Sequence, residues 1–459
     1  MLLEFRVRNF RSIRDEQVLS LVASGDKALA DTHVAPTGLK ALPGAVRSAV
    51  VYGPNASGKS TLLFALSYMR AVVAESATLI KPGQTYNVQR FKLDPAFATL
   101  PTEFDITFLL GGVRHQYSFA MTPERIVSES LLVYRTAKAQ QWFDRRIRDE
   151  VGSRTIESKS GHAGQRLHDE SDVYEYTFSS HLTGARKLWQ DSTRPNALFL
   201  STAAQLNSEP LGPVFRWLLD AIAYIPAGGG VHEDYTTSKL TTAEGREEVR
   251  EFLRAADVCI ADVLAVPRKG VRQQVVLHAT GIAQINRQEG DMLVPQFLHQ
   301  TAKGSAMFEF EEESEGTQRL YGLIAPVLDV LQSGRVLVVD ELESSLHTLL
   351  VRRLIKMFHD PSANRSNAQL IFTTHDTSLL DHTLFRRDQI WFTEKDADQA
   401  TTLYPLSDFS PRKEEAWGRG YIAGRYGAVP FFSELPGILS QQPLEPGALE
   451  TKEADSTSA

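Results

Sequence analysis

The chain has 459 residues, 42% of them hydrophobic and 23% charged, which is the composition of an ordinary soluble globular protein with a sizeable core. Its formal net charge of −7 provides no overall positive field for nucleic acid or an anionic membrane. Cys259 is the single cysteine, which excludes an intrachain disulfide and a cysteine metal cluster.

The N-terminal segment "LLEFRVRNF" (2–10) alternates apolar and polar residues and predicts a half-buried strand rather than a signal peptide. No apolar run in the sequence approaches the roughly 18 residues that a membrane span needs. We therefore expect a cytoplasmic protein without a membrane partner.

Two further segments in the first third of the chain have clear patterns. "RSAVVYGPNASGKSTLLFALSYM" (47–69) predicts a buried strand, a glycine-rich turn and a helix. "TEFDITFLLGGVRHQYSFAMT" (102–122) predicts a hairpin of two alternating strands joined at Gly111-Gly112.

The segment from about 125 to 265 is mixed, and we expect it to be mainly helical. Helical periodicity is present in 210–226 and 242–265. Prolines exclude one long coiled-coil arm here; they are Pro195, Pro210, Pro213 and Pro226.

The second half of the chain contains a strand–helix–strand pattern. Apolar residues recur at helical spacing from 317 to 331, and Gly334 supplies the stop. The predicted strands are "QQVVLHAT" (273–280), "AMFEFEEES" (306–314), "RVLVVDE" (335–341) and "QLIFTTHD" (369–376).

"GPNASGKS" (53–60) matches the phosphate-binding loop G-x-x-x-x-G-K-[ST], with a strand before it and a helix after it. Gly53 and Gly58 allow backbone N–H groups to turn inward around phosphate oxygens. Lys59 can bridge the terminal phosphates, and the Ser60 hydroxyl can hold Mg²⁺.

Two other strand ends carry polar residues of catalytic type. Asp340 and Glu341 end a continuous apolar strand, where Asp340 would hold Mg²⁺ and Glu341 would polarise the attacking water. His375 follows another apolar strand and could hydrogen-bond the terminal phosphate. Taken alone, each is a common surface feature; coupled to the phosphate loop, they indicate a nucleotide site.

Ser314 stands just before the 317–331 helix, and its simplest role there is structural, as the N-cap. A helix N-terminus with a hydroxyl and the Gly316 backbone can also bind an anion. Since one phosphate loop already holds its own nucleotide, this second phosphate-facing turn would serve the nucleotide of a second copy of the chain.

The order of these motifs resembles the ABC-type ATPases, and within them the SMC, RecF and OLD-like branch. "VRNFRSI", "ESEGTQRL", "VVDELESSLH" and "QLIFTTHDTSLLD" are similar to the family called AAA-fifteen over about 1–120 and 270–430. That family comprises predicted ATPases of bacterial anti-phage defence loci, such as the PARIS, Rlo/Abi and Septu-type systems.

The resemblance implies an α/β fold, a P-loop NTPase with an ABC-type head. This head has a mixed central sheet flanked by helices, an antiparallel N-terminal β-subdomain and the mainly helical insertion. The implied domains are an ATPase lobe (1–124), the insertion (125–265), a second ATPase lobe (266–435) and a disordered tail (436–459).

ATP and Mg²⁺ are the implied cofactors, and the implied assembly is a head-to-head dimer, with a higher homo-oligomer left open. Ser345, Leu346 and His347 would form the loop at the dimer seam. The implied nucleotide-binding residues are Gly53, Asn55, Gly58, Lys59, Ser60, Thr61, Ser314 and Gly316; the catalytic residues are Lys59, Glu341 and His375; the metal ligands are Ser60 and Asp340.

The sequence departs from this family pattern in two places. The usual signature begins Leu-Ser-Gly-Gly, whereas residues 313–316 are Glu-Ser-Glu-Gly. The glutamine loop has no clear counterpart, and Gln89 is our candidate for it.

Three functions follow from the resemblance. The first is an ATPase subunit of an anti-phage defence system that senses a trigger and controls a separately encoded nuclease or toxin. The alternative is a RecF- or SMC-like DNA repair ATPase that binds DNA directly, so a nucleic-acid partner stays open. A transporter motor is disfavoured because Ser60 and Asp340 lie 280 residues apart.

Two clusters of charged residues are more typical of surface structure than of a binding or catalytic site. Glu394, Asp396 and Asp398 could be metal ligands of a nuclease, but a polar turn is favoured. A basic group could bind nucleic acid or a partner, but solvated or packing roles are favoured for most members: Arg386, Arg387, Arg412, Lys413, Arg419 and Arg425.

Overall fold

The structure is a computed structural model that describes residues 1–148, 174–228, 233–256, 259–412 and 415–430. The strands are β1 (Leu2–Arg8), β2 (Gln17–Ser20), β3 (Val34–Leu39), β4 (Leu42–Val46), β5 (Ser48–Tyr52), β6 (Thr102–Leu110), β7 (Val113–Met121), β8 (Ile126–Tyr134), β9 (Gln140–Ile147), β10 (Tyr174–Phe178), β11 (Ile222–Ile225), β12 (Asp262–Leu277), β13 (Ala283–Thr301), β14 (Gly304–Glu309), β15 (Val336–Val339), β16 (Gln369–Thr373), β17 (Ile390–Lys395) and β18 (Thr401–Pro405). The helices are α1 (Ala30–His33), α2 (Lys59–Glu75), α3 (Arg186–Ser192), α4 (Phe199–Gln205), α5 (Gly212–Asp220), α6 (Glu233–Lys239), α7 (Ala243–Ala255), α8 (Glu315–Ser333), α9 (Thr348–His359) and α10 (Trp417–Ile422).

A six-stranded sheet forms the centre, in the order β11-β15-β16-β5-β17-β18. β11, β15, β16, β5 and β17 are parallel, and β18 pairs antiparallel with β17. Every residue of β5, β15 and β16 is buried, as their continuous apolar sequences predict for strands covered on both faces. The carboxyl ends of these three neighbouring strands therefore meet at one edge.

The period of two in a strand divides the core into two clusters, one on each side of the central sheet. In β5, Ala49 and Val51 join one cluster, and Val50 and Tyr52 join the other. The first cluster contains side chains of α2 and of the antiparallel sheet, and the second contains those of α8 and α9. The phosphate loop thus leaves a strand that is fixed from both sides.

A second sheet of seven antiparallel strands has the order β10-β9-β8-β7-β6-β1-β2. The predicted strand at 2–10 and the hairpin at 102–122 are confirmed as β1, β6 and β7, with Gly111 and Gly112 at the turn in positive φ. Two smaller sheets, β12-β13-β14 and β3-β4, complete the described strands.

The structure differs from the predicted division at residue 124 and from a mainly helical insertion that begins there. β8 pairs with β7 across this point, and β9 and β10 extend the same sheet, while β11 joins the central one. Helices α3 to α7 occupy the later part of 125–265. β8, β9 and β10 continue the hydrogen-bonded ladder of β7, so the antiparallel sheet does not end at residue 121.

Residues Met1–Val429 form one compact unit, so the three predicted segments before the tail pack together. The predicted tail at 436–459 lies outside the described residues. Within the described ranges, each helix is too short or too polar to cross a bilayer.

The predicted helix at 317–331 is confirmed as α8, which is slightly longer. Its N-cap is Ser314, whose Oγ accepts a hydrogen bond from the Thr317 N–H at 3.1 Å. Gly334 ends the helix with φ 70°, the left-handed conformation in which glycine has no Cβ penalty.

Asp105 on β6 provides a test of electrostatics in the antiparallel sheet. One carboxylate oxygen accepts a hydrogen bond from Gln116 Nε2 at 2.8 Å, and burial raises the pKa of Asp105 to about 6. An acid with a raised pKa destabilises the fold once it ionises, so the cost is complete above about pH 6 and is absent below the unfolded pKa. We expect Asp105→Asn to raise the free energy of unfolding by about 1–3 kcal/mol at pH 8, with a smaller gain at pH 4.5.

Urea denaturation at the two pH values measures this difference, with the exposed Asp31→Asn as control. An equal gain at both values would contradict the assignment.

Candidate functional site

The phosphate loop leaves β5 and enters α2 through backbone that only glycine adopts easily. Gly53 and Gly58 have φ of 155° and 111°. A Cβ at Gly53 would overlap the Thr393 carbonyl, and one at Gly58 would overlap the Thr401 side chain. Both glycines are therefore required by conformation and by the close approach of β17 and β18.

The hairpin β17–β18 supports the loop through hydroxyl groups that sequence reasoning missed. Thr393 Oγ1 lies 2.7 Å from Ser57 Oγ, and Thr401 Oγ1 donates to the Ser57 carbonyl at 2.8 Å. Ser12 Oγ lies 2.9 Å from Thr401 Oγ1, which ties the N-terminal sheet region to the same point. In the sequence, each of these threonines is one residue of an ordinary strand pattern. That pattern does not indicate a contact with the phosphate loop.

Lys59, the first residue of α2, is buried and folds back over its own loop. Its Nζ donates to the Gly53 carbonyl at 2.9 Å and to the Pro54 carbonyl at 3.1 Å. Burial lowers the pKa of Lys59, and the nearby acids of the site oppose that shift. The ammonium group is thus placed among the loop carbonyls on one side and carboxylates on the other.

Asp340 and Glu341 follow β15 and are held by Thr373 at the end of β16. Thr373 Oγ1 donates to Asp340 Oδ1 at 2.6 Å and accepts a hydrogen bond from the Glu341 N–H at 2.7 Å. Glu341 has φ 53°, in the left-handed region, so the extended backbone of the strand ends before it. One buried hydroxyl therefore fixes the Asp340 carboxylate and the Glu341 backbone, and sequence reasoning did not identify it.

His375 lies two residues beyond β16, and its imidazole is exposed. Partial desolvation and then the charge of Lys59 lower the pKa of His375, against the charge of Glu343. This shift favours the neutral imidazole, which can donate or accept a hydrogen bond. Its backbone N–H donates to Glu343 Oε1 at 2.5 Å.

The start of α8 lies against the loop that follows the acids. A Cβ added to Gly316 would lie 2.8 Å from the Ser345 carbonyl. Ser345 has φ 58°, and His347 caps α9 by accepting the Leu349 N–H at its Nδ1. Ser314 is exposed, and its capping role is established by the Thr317 contact.

A polar cleft of about 720 Å³ opens beside the phosphate loop. Gln89 lines it, and its carbonyl accepts the Arg11 N–H at 2.7 Å. Asn55 and Lys395 also line the cleft, and Lys395 Nζ donates to Thr401 Oγ1 at 3.1 Å. The structure thus places the candidate glutamine next to the loop, with a basic wall nearby.

Several members of the two charged clusters pair within the chain, while Arg412 and Arg419 are exposed. Arg14 pairs with Asp396 and Asp398, and Asp396 also accepts backbone N–H groups of its own turn. Arg386 is fully buried and bonds Asp388, and Arg387 pairs with Asp26. No group of three metal-ligating side chains is found in the described ranges, and Lys413 lies outside them.

The oxygen donors at the site suit Mg²⁺. Ser60 follows Lys59 in the first turn of α2, and Asp340 lies at the end of β15, two strands from β5. A hydroxyl and a carboxylate are hard ligands of the kind that Mg²⁺ takes beside substrate phosphates. Ser60 and Asp340 would hold the ion.

Thr373→Val tests the hydroxyl that joins the two acids. The variant keeps the shape of the side chain but leaves a buried Asp340 oxygen and the Glu341 N–H without this partner. We expect it to lower the free energy of unfolding by about 1–3 kcal/mol in denaturant titrations. Thr107→Val, on the half-exposed face of β6, should stay within about 0.5 kcal/mol of the original chain. Equal losses of unfolding free energy in both variants would refute the proposed role of the Thr373 hydroxyl.

Comparison with known proteins adds the family. Residues 48–182 and 234–381 match the family described as "AAA domain, putative AbiEii toxin, Type IV TA system". No curated protein matches the chain.

Among solved structures, the chain is similar to "SMC head domain from Thermotoga maritima" at 12% identity and TM-score 0.37, and the match covers 88% of this chain and 98% of that chain. It is also similar to "Crystal structure of the SmcHead bound to the C-winged helix domain of ScpA" at 12% identity and TM-score 0.34, covering 89% and 99%. The family match extends over more than half of the residues, and the chain therefore belongs to this family of AAA-domain ATPases.

Proposed function

We propose that the protein binds and hydrolyses ATP in a head-to-head homodimer and thereby controls a separately encoded nuclease or toxin in anti-phage defence. The observation that carries the ATPase proposal is the strand order β15-β16-β5. It brings Asp340 and Glu341, then Thr373 and His375, then the phosphate loop to neighbouring strand ends.

The residues divide the chemistry among them. The loop N–H groups and Lys59 bind the phosphates, with Lys59 exchanging its loop carbonyls for phosphate oxygens. Glu341 accepts the proton of the attacking water, and His375 donates a hydrogen bond to the terminal phosphate. Mg²⁺ at Ser60 and Asp340 would neutralise charge on the transferred phosphoryl group.

The homodimer proposal is supported by the start of α8. Ser314 is exposed at the N-terminus of a 19-residue helix, where backbone N–H groups and the helix dipole favour an anion. Gly316 lies against Ser345 of the loop expected at the dimer seam, too close for a side chain. A terminal phosphate bound by a second copy is the anion that we propose for this turn.

The defence role is supported by the family, whose description names a toxin of a type IV toxin–antitoxin system. Asp396 and Asp398 pair with Arg14, and Glu394 accepts the Ala428 N–H, which favours an effector encoded elsewhere over a nuclease centre at this position. The net charge of −7 favours control of a protein partner over direct DNA clamping.

Substitutions of Lys59 and Glu341 test the division of chemistry. We expect Lys59→Ala to abolish ATP binding, because it removes the buried cation of the loop. Glu341→Gln should bind ATP normally but hydrolyse it slower by a factor on the order of 10²–10⁴, the contribution of a positioned base. Binding of a fluorescent ATP analogue and phosphate release measure the two effects.

The exposed Glu251→Gln on α7 is the matched control for the charge change. Normal ATP affinity in Lys59→Ala would refute the loop assignment, and unchanged turnover in Glu341→Gln would mean that another group is the base.

Ser314→Arg tests whether the α8 turn serves a second copy. A bulky cation there should spare ATP binding by the variant's own loop but abolish hydrolysis and ATP-driven dimerisation. Native mass spectrometry of the protein expressed with its neighbouring genes measures the dimer and any bound effector together. Ser314→Thr, which retains the cap, should behave like the original chain. Full activity and dimerisation in Ser314→Arg would mean that the turn acts only as a helix cap.

A further inference from the structure

Glu343 is an acidic residue of the site to which the proposed chemistry gives no role. It lies two residues after Glu341, at the beginning of the turn that leads to Ser345. Its Oε1 accepts the backbone N–H of His375 at 2.5 Å. Its Oε2 is buried and has no hydrogen-bond partner among the residues that the structure describes.

A buried carboxylate oxygen without a donor is costly. Native proteins pair the large majority of their buried polar atoms, and an unpaired charged acceptor costs more than a neutral one. Such an atom beside a binding site indicates a donor that the chain itself does not supply.

The surroundings of Glu343 include the cation of the phosphate loop. Lys59 is buried, which lowers its pKa, and the charges of Asp340, Glu341 and Glu343 oppose the shift. These three acids therefore act on the same ammonium group. Glu343 also acts on His375, through the direct backbone contact and through its charge. Glu343 is therefore in direct contact with His375 and close enough to Lys59 for its charge to act on that ammonium group.

We propose that Glu343 is a positioning residue of the ATP site, whose Oε1 fixes the backbone of His375 and whose Oε2 accepts a hydrogen bond from a water molecule of the bound Mg²⁺–ATP. The inference rests on the proposed ATPase function. It gives Glu343 two separable tasks, a tether within the chain and a contact that forms only with the metal nucleotide.

Glu343→Gln separates the two tasks. The amide oxygen can still accept the His375 N–H, whereas the amide nitrogen at the Oε2 position cannot accept a hydrogen bond from water. We expect the Mg²⁺ concentration for half-maximal binding of a fluorescent ATP analogue to rise about tenfold or more, the effect of losing one hydrogen bond to a charged group. Hydrolysis should fall by a similar factor. The melting temperature without nucleotide should not fall, because a buried charge is replaced by a neutral group.

Glu343→Ala removes both tasks and should lower the melting temperature as well as the Mg²⁺ response. Glu251→Gln, an exposed acid on α7, should change neither quantity. A Glu343→Gln variant with an unchanged Mg²⁺ response, whether or not it melts earlier, would reduce Glu343 to a tether and overturn the inference alone. Failure of the original chain to bind the ATP analogue would overturn the proposed function and the inference with it.

Discussion

The parallel pairing of β16 between β5 and β15 is the constraint on which the site depends. Asp340 and the phosphate loop are nearly three hundred residues apart in sequence, yet only one strand separates them in the sheet. Because all three strands run in the same direction and are buried on both faces, their carboxyl ends cannot shift independently. The spacing between Lys59 and the two acids is therefore a property of the sheet rather than of flexible loops.

Threonine hydroxyls then convert this alignment into fixed side-chain positions. Thr373 holds Asp340 and Glu341 together from the middle strand. Thr393 and Thr401 hold the phosphate loop from the neighbouring strands β17 and β18, through hydrogen bonds to Ser57. A short hydroxyl can satisfy backbone and carboxylate groups at once in a confined space, which a longer polar side chain could not do without opening the sheet.

The turn after the acids connects the site to the rest of the head. Glu343 reaches back to His375, and Ser345 lies against Gly316 at the start of α8. The start of α8 is therefore packed against the same turn that carries Glu341.

The sequence by itself determined the chemistry-bearing residues and the elements that carry them. The phosphate loop, Asp340, Glu341 and His375 stood at the ends of strongly apolar strands, and the 3.6-residue period located α8. These signals are local, because glycine conformation, strand burial and helix periodicity depend on neighbours in the chain.

Tertiary structure alone decided the rest. The membership of β8, β9 and β10 in the antiparallel sheet, the support of the loop by Thr393 and Thr401, and the bridging role of Thr373 all depend on contacts between distant segments. A threonine in a strand has the same local pattern whether it faces solvent, core or a carboxylate. Its role is therefore decided by which strand pairs beside it, and that choice is made by the packing of the whole chain.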